Sequence, residues 1–213
     1  MPTSLRLAIS LAIALQVSAT GAAADPVRIV SGSLSFDTGD PPAFSLLTSS
    51  GHLFEAEGFR TGWPATCFYQ CAPGVAIPIS LDNVTQTDDG SMSFRADGVD
   101  LFPVMQLLVS APSVTLGSDP GTSNGPFVDF ERPFTFGGRL TAYASPDLIG
   151  TPVFDMTLIG NGTAELTMIR ENGRYSFSSL DYTFRADPVP EPATLMLFGT
   201  GAALLWRRRK VHR

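Results

Sequence analysis

Lysine, histidine, cysteine and tryptophan are all scarce in this chain of 213 residues. It has two histidines, two cysteines and two tryptophans, and its single lysine is Lys210. His52 is the only histidine outside the C-terminal segment, so the central part of the chain lacks the imidazole ligands of a typical zinc site. It also has no Gly-x-Ser-x-Gly elbow and no phosphate-binding glycine loop. The sequence therefore predicts no catalytic residues, no metal ligands and no cofactor, and His52 is interpreted as a turn residue.

Amphipathic helical periodicity is also missing from the central part, which is rich in Gly, Pro, Ser, Thr, Phe and Val. Apolar and polar residues alternate there instead, for example at 91–97, at 134–143 and, in the longest case, at 154–168. Such alternation predicts strands with one buried face and one polar face, as in antiparallel sheets. We therefore expect an all-β fold of about nine to eleven strands. A sandwich and a barrel are both compatible with the pattern.

Turn-forming residues indicate where the chain reverses. The dipeptides Asn172-Gly173 and Asp89-Gly90 each separate two alternating segments, which predicts two hairpins. Glycines near the middle of the longest alternating segment, at Gly160 and Gly162, predict a bend or a bulge. Residues 104–116 are expected to form a strand, and the Gly- and Pro-rich residues 120–126 a loop.

The N-terminus has the pattern of a secretory signal peptide. Arg6 supplies a positive charge, and residues 7–17 are almost entirely apolar. Ala22 and Ala24 place small residues at the two positions that a signal peptidase recognises. The sequence therefore predicts a signal peptide over residues 1–24, cleaved after Ala24, followed by an exported β-rich domain over residues 25–188.

The C-terminus contains a second hydrophobic segment, residues 193–206. As a helix its 14 residues would span about 21 Å, whereas a bilayer core is about 30 Å thick. Four basic residues follow at once and would lie on the cytoplasmic side: Arg207, Arg208, Arg209 and Lys210. The first two can reach the headgroups and extend the short span. The pattern predicts a short transmembrane helix with a positively charged stop.

The residues just before this helix are Val189, Pro190, Glu191 and Pro192. Together with the apolar segment and the Arg-rich end, they resemble the PEP-CTERM protein-sorting signal of exopolysaccharide-producing Gram-negative bacteria. The resemblance covers residues 189–213. It implies recognition by exosortase, a membrane-embedded transpeptidase-like enzyme that cuts near Pro-Glu-Pro. It also implies anchoring in the inner membrane before processing and a cell-surface or extracellular location afterwards. Two prolines hold the chain extended, which suits a site that an enzyme must reach.

The exported domain is strongly acidic. Six of the fourteen basic residues and one of the twenty acidic residues lie in the two terminal signals, which leaves eight and nineteen and a net charge of −11. A domain with this charge repels nucleic acid and anionic membrane surfaces. Cations and neutral or basic polymers are more suitable partners.

The two cysteines, Cys67 and Cys71, are close in sequence and lie between Pro64 and Pro73. In an exported protein an even number of cysteines predicts a disulfide, which here requires a tight loop because the two Cα atoms must lie within about 7 Å. So small a ring would contribute about 2 kcal/mol. Free or redox-active thiols and a metal site are the alternatives.

The leading functional hypothesis is a non-catalytic cell-surface or matrix protein that is structural or associated with polysaccharide. Aromatic side chains at Trp63, Phe68 and Tyr69 could stack on sugar rings, or they could belong to the core. A secreted glycoside hydrolase with a pair of carboxylates is the alternative. A calcium-dependent binding module is a third possibility, with candidate ligands at Asp37, Asp40, Asp88, Asp89, Asp97 and Asp100.

Overall fold

The structure is a computed structural model that describes residues 25–59, 68–87 and 92–186, with the backbone alone for residues 82–87. Strands account for all the regular structure in these ranges, so the all-β prediction is confirmed. No helix in them is long and apolar enough to cross a membrane, and the predicted helix at 193–206 lies outside them. The strands are β1 (Val27–Asp37), β2 (Ala43–Thr48), β3 (Leu53–Glu57), β4 (Ala76–Ile77), β5 (Leu81–Thr87), β6 (Ser93–Ala96), β7 (Val99–Asp100), β8 (Phe102–Ser110), β9 (Val114–Thr115), β10 (Thr122–Asn124), β11 (Phe127–Tyr143), β12 (Phe154–Glu171) and β13 (Arg174–Arg185).

Eleven of these strands form one sheet. Its order is β5-β8-β11-β12-β13-β1-β2-β3-β6-β7, with β10 attached to β11, and β4 and β9 form a separate pair. Neighbouring strands are antiparallel except at one short contact, where Val27 and Arg28 of β1 pair in parallel with Leu158 and Ile159 of β12. The main sheet thus agrees with the expected nine to eleven antiparallel strands.

The sheet curls so that its two ends approach each other. Strand β5 lies at one end of the order and β6 near the other, yet only residues 88–92 separate them in sequence. An extended chain covers at most about 3.6 Å per residue, so this connection spans no more than about 20 Å. The hairpin predicted at Asp89-Gly90 is therefore wrong, because β5 pairs with β8 and β6 pairs with β3. No pairing joins β5 to β6 or β7 in the described ranges, so the curled sheet resembles a sandwich rather than a closed barrel.

The second predicted hairpin is confirmed. Strand β12 ends one residue before Asn172, and β13 begins one residue after Gly173. Both loop residues have positive φ, 50° and 77°, as a two-residue turn of type I′ requires. This turn matches the right-handed twist of the strands and fixes their register, which runs from Glu171 opposite Arg174 to Gly162 opposite Phe184.

The glycines of β12 mark a change of neighbouring strand. As far as Ile159, the edge of β12 that faces away from β11 contacts β1, and from Gly162 onwards the same edge pairs with β13. A Cβ atom on Gly162 would lie 1.9 Å from the carbonyl oxygen of Thr183, so only glycine allows the two backbones to meet here. One long strand therefore has two neighbours along the same edge. The bulge predicted near Gly160 and Gly162 lies further along, because the register shifts between Thr167 and Met168.

Two other expectations about loops and strands need correction. Residues 120–126 are not entirely loop, because Thr122–Asn124 pairs with the start of β11 around the turn at Gly125. Residues 104–116 are not one strand, because the chain leaves the sheet after Ser110, next to Pro112, and re-pairs as β9 with β4. Proline has no N–H to donate to a ladder, which explains the break.

The core lies on the concave side of the curled sheet and is dominated by phenylalanine. Phe94, Phe134, Phe136 and Phe177 are buried as the alternation predicted, and Phe154 is partly buried against them. Leu158 and Leu166, which the alternation over 154–168 places on the same face as Phe154, are buried as well. The rings of Phe54 in β3 and Phe154 in β12 lie 5.2 Å apart, although four steps of the strand order separate these strands. The side chains of the two halves of the sheet thus meet in one core.

Candidate functional site

Both ends of the described domain lie at the same end of the sheet. Strand β13 ends at Arg185, which is paired with Ser31 of β1. The described chain starts at Asp25, only two residues before β1, and ends at Ala186, just after β13. A C-terminal anchor would therefore leave the domain from this end. The opposite end carries the hairpin at Asn172 and Gly173, about 35 Å away along β13.

A short bulged segment, residues 68–71, is attached to β13 at this opposite end. The N–H of Phe177 donates to the carbonyl of Phe68 at 3.0 Å, and Cys71 and Tyr175 exchange two backbone hydrogen bonds of 2.7 and 3.0 Å. Between these anchor points β13 has one residue and the segment has two, Tyr69 and Gln70. This extra residue defines a β-bulge, and Gln70 accommodates it with a positive φ of 54°. We call the segment the Tyr69 bulge.

The bulge separates two adjacent aromatic side chains that the sequence grouped together. Phe68 is half-buried, and its ring packs edge-on against Phe177 with a centroid distance of 5.8 Å. Tyr69 points the other way and is 82% exposed. Of the three aromatic residues proposed to contact sugars, Phe68 thus contributes to the core, Tyr69 lies on the surface, and Trp63 is outside the described residues.

A surface groove of about 690 Å³ lies beside the bulge. We call it the Tyr69 groove; it is lined by Tyr69, Gln70, Glu171, Asn172, Arg174 and Ser176. Two side chains of β13 hold the backbone of Gln70: the guanidinium of Arg174 donates to its carbonyl at 3.0 Å, and its N–H donates to the Ser176 hydroxyl at 3.4 Å. The groove thus combines one exposed aromatic ring with amide, carboxylate, guanidinium and hydroxyl groups on a firmly paired backbone.

The outer face of the sheet carries a row of three carboxylates. Glu131, Glu165 and Asp181 are directly paired across β11, β12 and β13. Desolvation raises the pKa of Glu165, and the charges of Asp129, Glu131 and Asp181 raise it further. Desolvation likewise raises the pKa of half-buried Asp181. Like charges placed directly opposite each other repel, so this acidic row costs stability when it is ionised.

Two of the other acidic candidates, Asp97 and Asp100, are engaged in local contacts. Asp97, with φ of 51°, accepts hydrogen bonds from the N–H of Leu53 at 2.9 Å and contacts the His52 ring at 2.8 Å. These contacts lower the pKa of Asp97, the backbone hydrogen bond most of all. Asp100 pairs with Arg95 at 2.7 Å.

Asp88 and Asp89 lie outside the described residues. In the three ranges that the structure describes, no group of three or more His, Cys, Asp or Glu side chains could hold a metal ion. His52 follows the turn between β2 and β3, where its N–H donates to the Thr48 hydroxyl at 3.1 Å. Its interpretation as a turn residue therefore agrees with the structure.

Cys71 is almost completely buried next to β13, and none of the cysteines in the described part is free. Its predicted partner Cys67 lies outside that part, so their pairing stays a prediction. The same holds for several predicted terminal sites that also lie outside the described residues: Ala22 and Ala24 of the signal-peptidase site, Val189, Pro190, Glu191 and Pro192 of the sorting motif, and Arg207, Arg208, Arg209 and Lys210 of the basic stop.

Comparison with known protein families identifies the C-terminal segment. The family model of the PEP-CTERM protein-sorting motif matches residues 188–210. The chain carries this sorting motif. The match begins one residue before the motif predicted at Val189–Pro192 and includes the apolar segment and Arg207 to Lys210. It implies export, transient anchoring through the C-terminal tail and processing by an exosortase. No curated protein and no solved structure matches the chain.

Sequence reasoning missed two features of the surface. The acidic row depends on the pairing of three strands that are separated by up to 50 residues, and no local pattern shows that pairing. The second missed feature is the Tyr69 bulge. The opposite orientations of Phe68 and Tyr69 follow from ordinary alternation, but Cys71 turns back inward only because Gln70 adopts a positive φ. Only the short cysteine spacing suggested a tight loop here.

Proposed function

We propose that this protein is an exported surface or matrix protein whose non-catalytic β-domain is displayed after exosortase processing and associates with polysaccharide. The observation that carries the proposal is the position of the sorting motif. Its match begins at residue 188, and strand β13 ends at Arg185, so only two residues separate the folded domain from the motif. No further folded unit fits between them, and the β-domain is the part that reaches the surface.

The association with polysaccharide is supported by the character of the exposed surface. In the described ranges large apolar side chains are mostly buried, and Tyr69, an exposed aromatic residue, lies among polar groups. The net charge of −11 predicted for residues 25–188 disfavours nucleic acid and anionic lipid surfaces. Neutral sugars carry no charge to be repelled, and their hydroxyls match surfaces with many donors and acceptors.

A glycoside hydrolase is the second candidate, and one specific pair of carboxylates favours it. Glu55 and Glu57 are two residues apart on β3, which places their Cα atoms about 6.5 to 7 Å apart on one face. Both line a groove of about 470 Å³ together with Ser93 and Arg95. Inverting glycosidases separate their carboxyl groups by about 6.5 to 9.5 Å, a range that two side chains with this Cα spacing can reach. However, both side chains are exposed on an open strand face, which does not provide the enclosed environment that catalysis needs.

Cell fractionation tests the display of the domain. Replacing Pro190, Glu191 and Pro192 together by alanine should leave the protein in the inner-membrane fraction, whereas the wild type should reach the surface or the medium. Pro188→Ala is the matched control, because it removes a neighbouring proline and leaves Pro-Glu-Pro intact. Normal release of the triple variant would contradict exosortase processing.

Hydrolysis assays separate the two candidate functions. We expect no release of reducing sugar from cellulose, xylan or laminarin by the wild-type protein. Release that is abolished by Glu55→Gln or Glu57→Gln would establish the hydrolase instead.

A further inference from the structure

We propose that the Tyr69 groove is a saccharide-binding site in which the ring of Tyr69 stacks on the apolar face of a pyranose of a neutral polysaccharide. This inference rests on the proposed association with polysaccharide and assigns it to particular residues. A pyranose presents C–H groups on its faces and hydroxyls at its edge. It therefore needs a flat apolar platform surrounded by hydrogen-bonding groups.

The groove provides both elements. Tyr69 is 82% exposed, so most of its ring surface is available as a platform. Its neighbours supply the edge contacts: the amides of Gln70 and Asn172 both donate and accept, the carboxylate of Glu171 accepts, and the guanidinium of Arg174 donates. Tyrosine is well suited to this position because its ring is apolar while its hydroxyl remains hydrogen-bonded to water or ligand.

The backbone that carries the platform is tied to β13. The bulge is joined to β13 by backbone hydrogen bonds on both sides of Tyr69, and Phe68 anchors it through its contact with Phe177. On the other side of the groove, the two-residue turn fixes Asn172. Binding to a pre-organised surface avoids much of the entropy cost of ordering loops and side chains. Tyr69 thus projects from a hydrogen-bonded backbone.

Charge favours a neutral chain over a polyanion. The groove contains one carboxylate, Glu171, and one guanidinium, Arg174, so it has no net charge of its own. The domain around it is strongly acidic, and a chain with a negative charge on every sugar would be repelled along its length. The groove also lies about 35 Å from the end of β13 that leads to the sorting motif. A membrane-anchored molecule would therefore hold it away from the membrane.

Affinity electrophoresis tests the proposal directly. The full-length chain in a polyoxyethylene detergent is run in native gels that contain hydroxyethylcellulose, laminarin or alginate. We expect retardation by at least one of the two neutral glucans and none by alginate. Tyr69→Ala should weaken the binding at least about fivefold, and Tyr69→Phe should retain most of it because the ring is kept.

Ile149→Ala is the control, since Ile149 is a comparably exposed apolar side chain, 77% exposed, outside the groove. It should bind like the wild type, and all variants should keep the wild-type melting temperature. Equal retardation of Tyr69→Ala and wild type would overturn the assignment of binding to the Tyr69 groove, while leaving the association with polysaccharide in place. A wild-type protein retarded by none of the three polymers would overturn both. Retardation by alginate alone would overturn the choice of a neutral ligand.

Discussion

Two neighbouring residues of β12 provide a sensitive test of the fold because the same new side chain should have opposite effects at the two positions. Leu166 is 0% exposed and paired with Phe130 and Leu180. Leu166→Gln removes a buried apolar side chain, worth about 1.5 to 3 kcal/mol, and buries an unpaired amide, at about 1 to 3 kcal/mol. Together these remove about 2.5 to 6 kcal/mol from a free energy of unfolding that is usually about 5 to 15 kcal/mol.

Glu165→Gln introduces the same side chain on the outer face. It conserves the shape of Glu165 and removes the central charge of the acidic row, between Glu131 and Asp181. Opposed like charges destabilise a sheet by roughly 0.2 to 1 kcal/mol, so this variant should be more stable than the wild type by about that amount. The raised pKa of Glu165 means that the folded state holds this proton more tightly than the unfolded state. The gain should therefore be present at neutral pH and vanish below about pH 4, where the carboxyl is protonated in both states.

Urea denaturation of residues 25–186, followed by circular dichroism at pH 7 and in acid, measures both effects. We expect a large loss of stability for Leu166→Gln and a small, pH-dependent gain for Glu165→Gln. Losses of similar size in the two variants would mean that β12 does not have one buried and one exposed face. A gain for Glu165→Gln that persisted unchanged in acid would show that charge repulsion is not its cause.

Further predictions concern three other places in the chain. Gly162→Ala should lower the free energy of unfolding by about 1 to 3 kcal/mol, because the new Cβ would overlap a carbonyl of β13. Gly137→Ala is the control and should be tolerated, because a Cβ there has open space around it. Similar urea midpoints for the two variants would contradict the close approach of β12 and β13 at Gly162. Thiol labelling of the denatured, non-reduced protein should leave Cys67 and Cys71 unmodified, and full labelling would exclude the disulfide. Asp97→Asn should lower the stability of the domain at pH 7 but not in acid. The pKa of Asp97 is lowered in the folded state, so its carboxyl stabilises the fold only while it is ionised. A loss of stability that does not depend on pH would exclude this charge effect.

The sequence predicted the features of the fold that local patterns determine. Alternation along 154–168 predicted the two faces of β12, and Asn172-Gly173 predicted its hairpin with β13, because a type I′ turn needs residues that tolerate positive φ. The sorting motif was also predictable, since a short linear signal is read by an enzyme as a sequence rather than as a fold.

The features that depend on distant contacts could not be predicted in the same way. Asp89-Gly90 has the composition of a hairpin turn, yet the strands on either side of it, β5 and β6, lie towards opposite ends of the sheet order. The long-range pairing of these strands outweighs the local turn preference. The Tyr69 groove likewise combines residues 69–70 with residues 171–176, which only the pairing along β13 brings together. Its aromatic member was visible in the sequence, but its polar members were not.

Intact-mass analysis of the protein recovered from its own cell surface tests exosortase sorting most directly. One measurement reports the N-terminal cleavage, the C-terminal cleavage and the loss of two hydrogens in a disulfide. We predict a mass for a chain that starts at Asp25, ends near Pro190–Ala193 apart from any group attached there, and contains one disulfide. A surface population that retains residues 195–213 would contradict processing by exosortase.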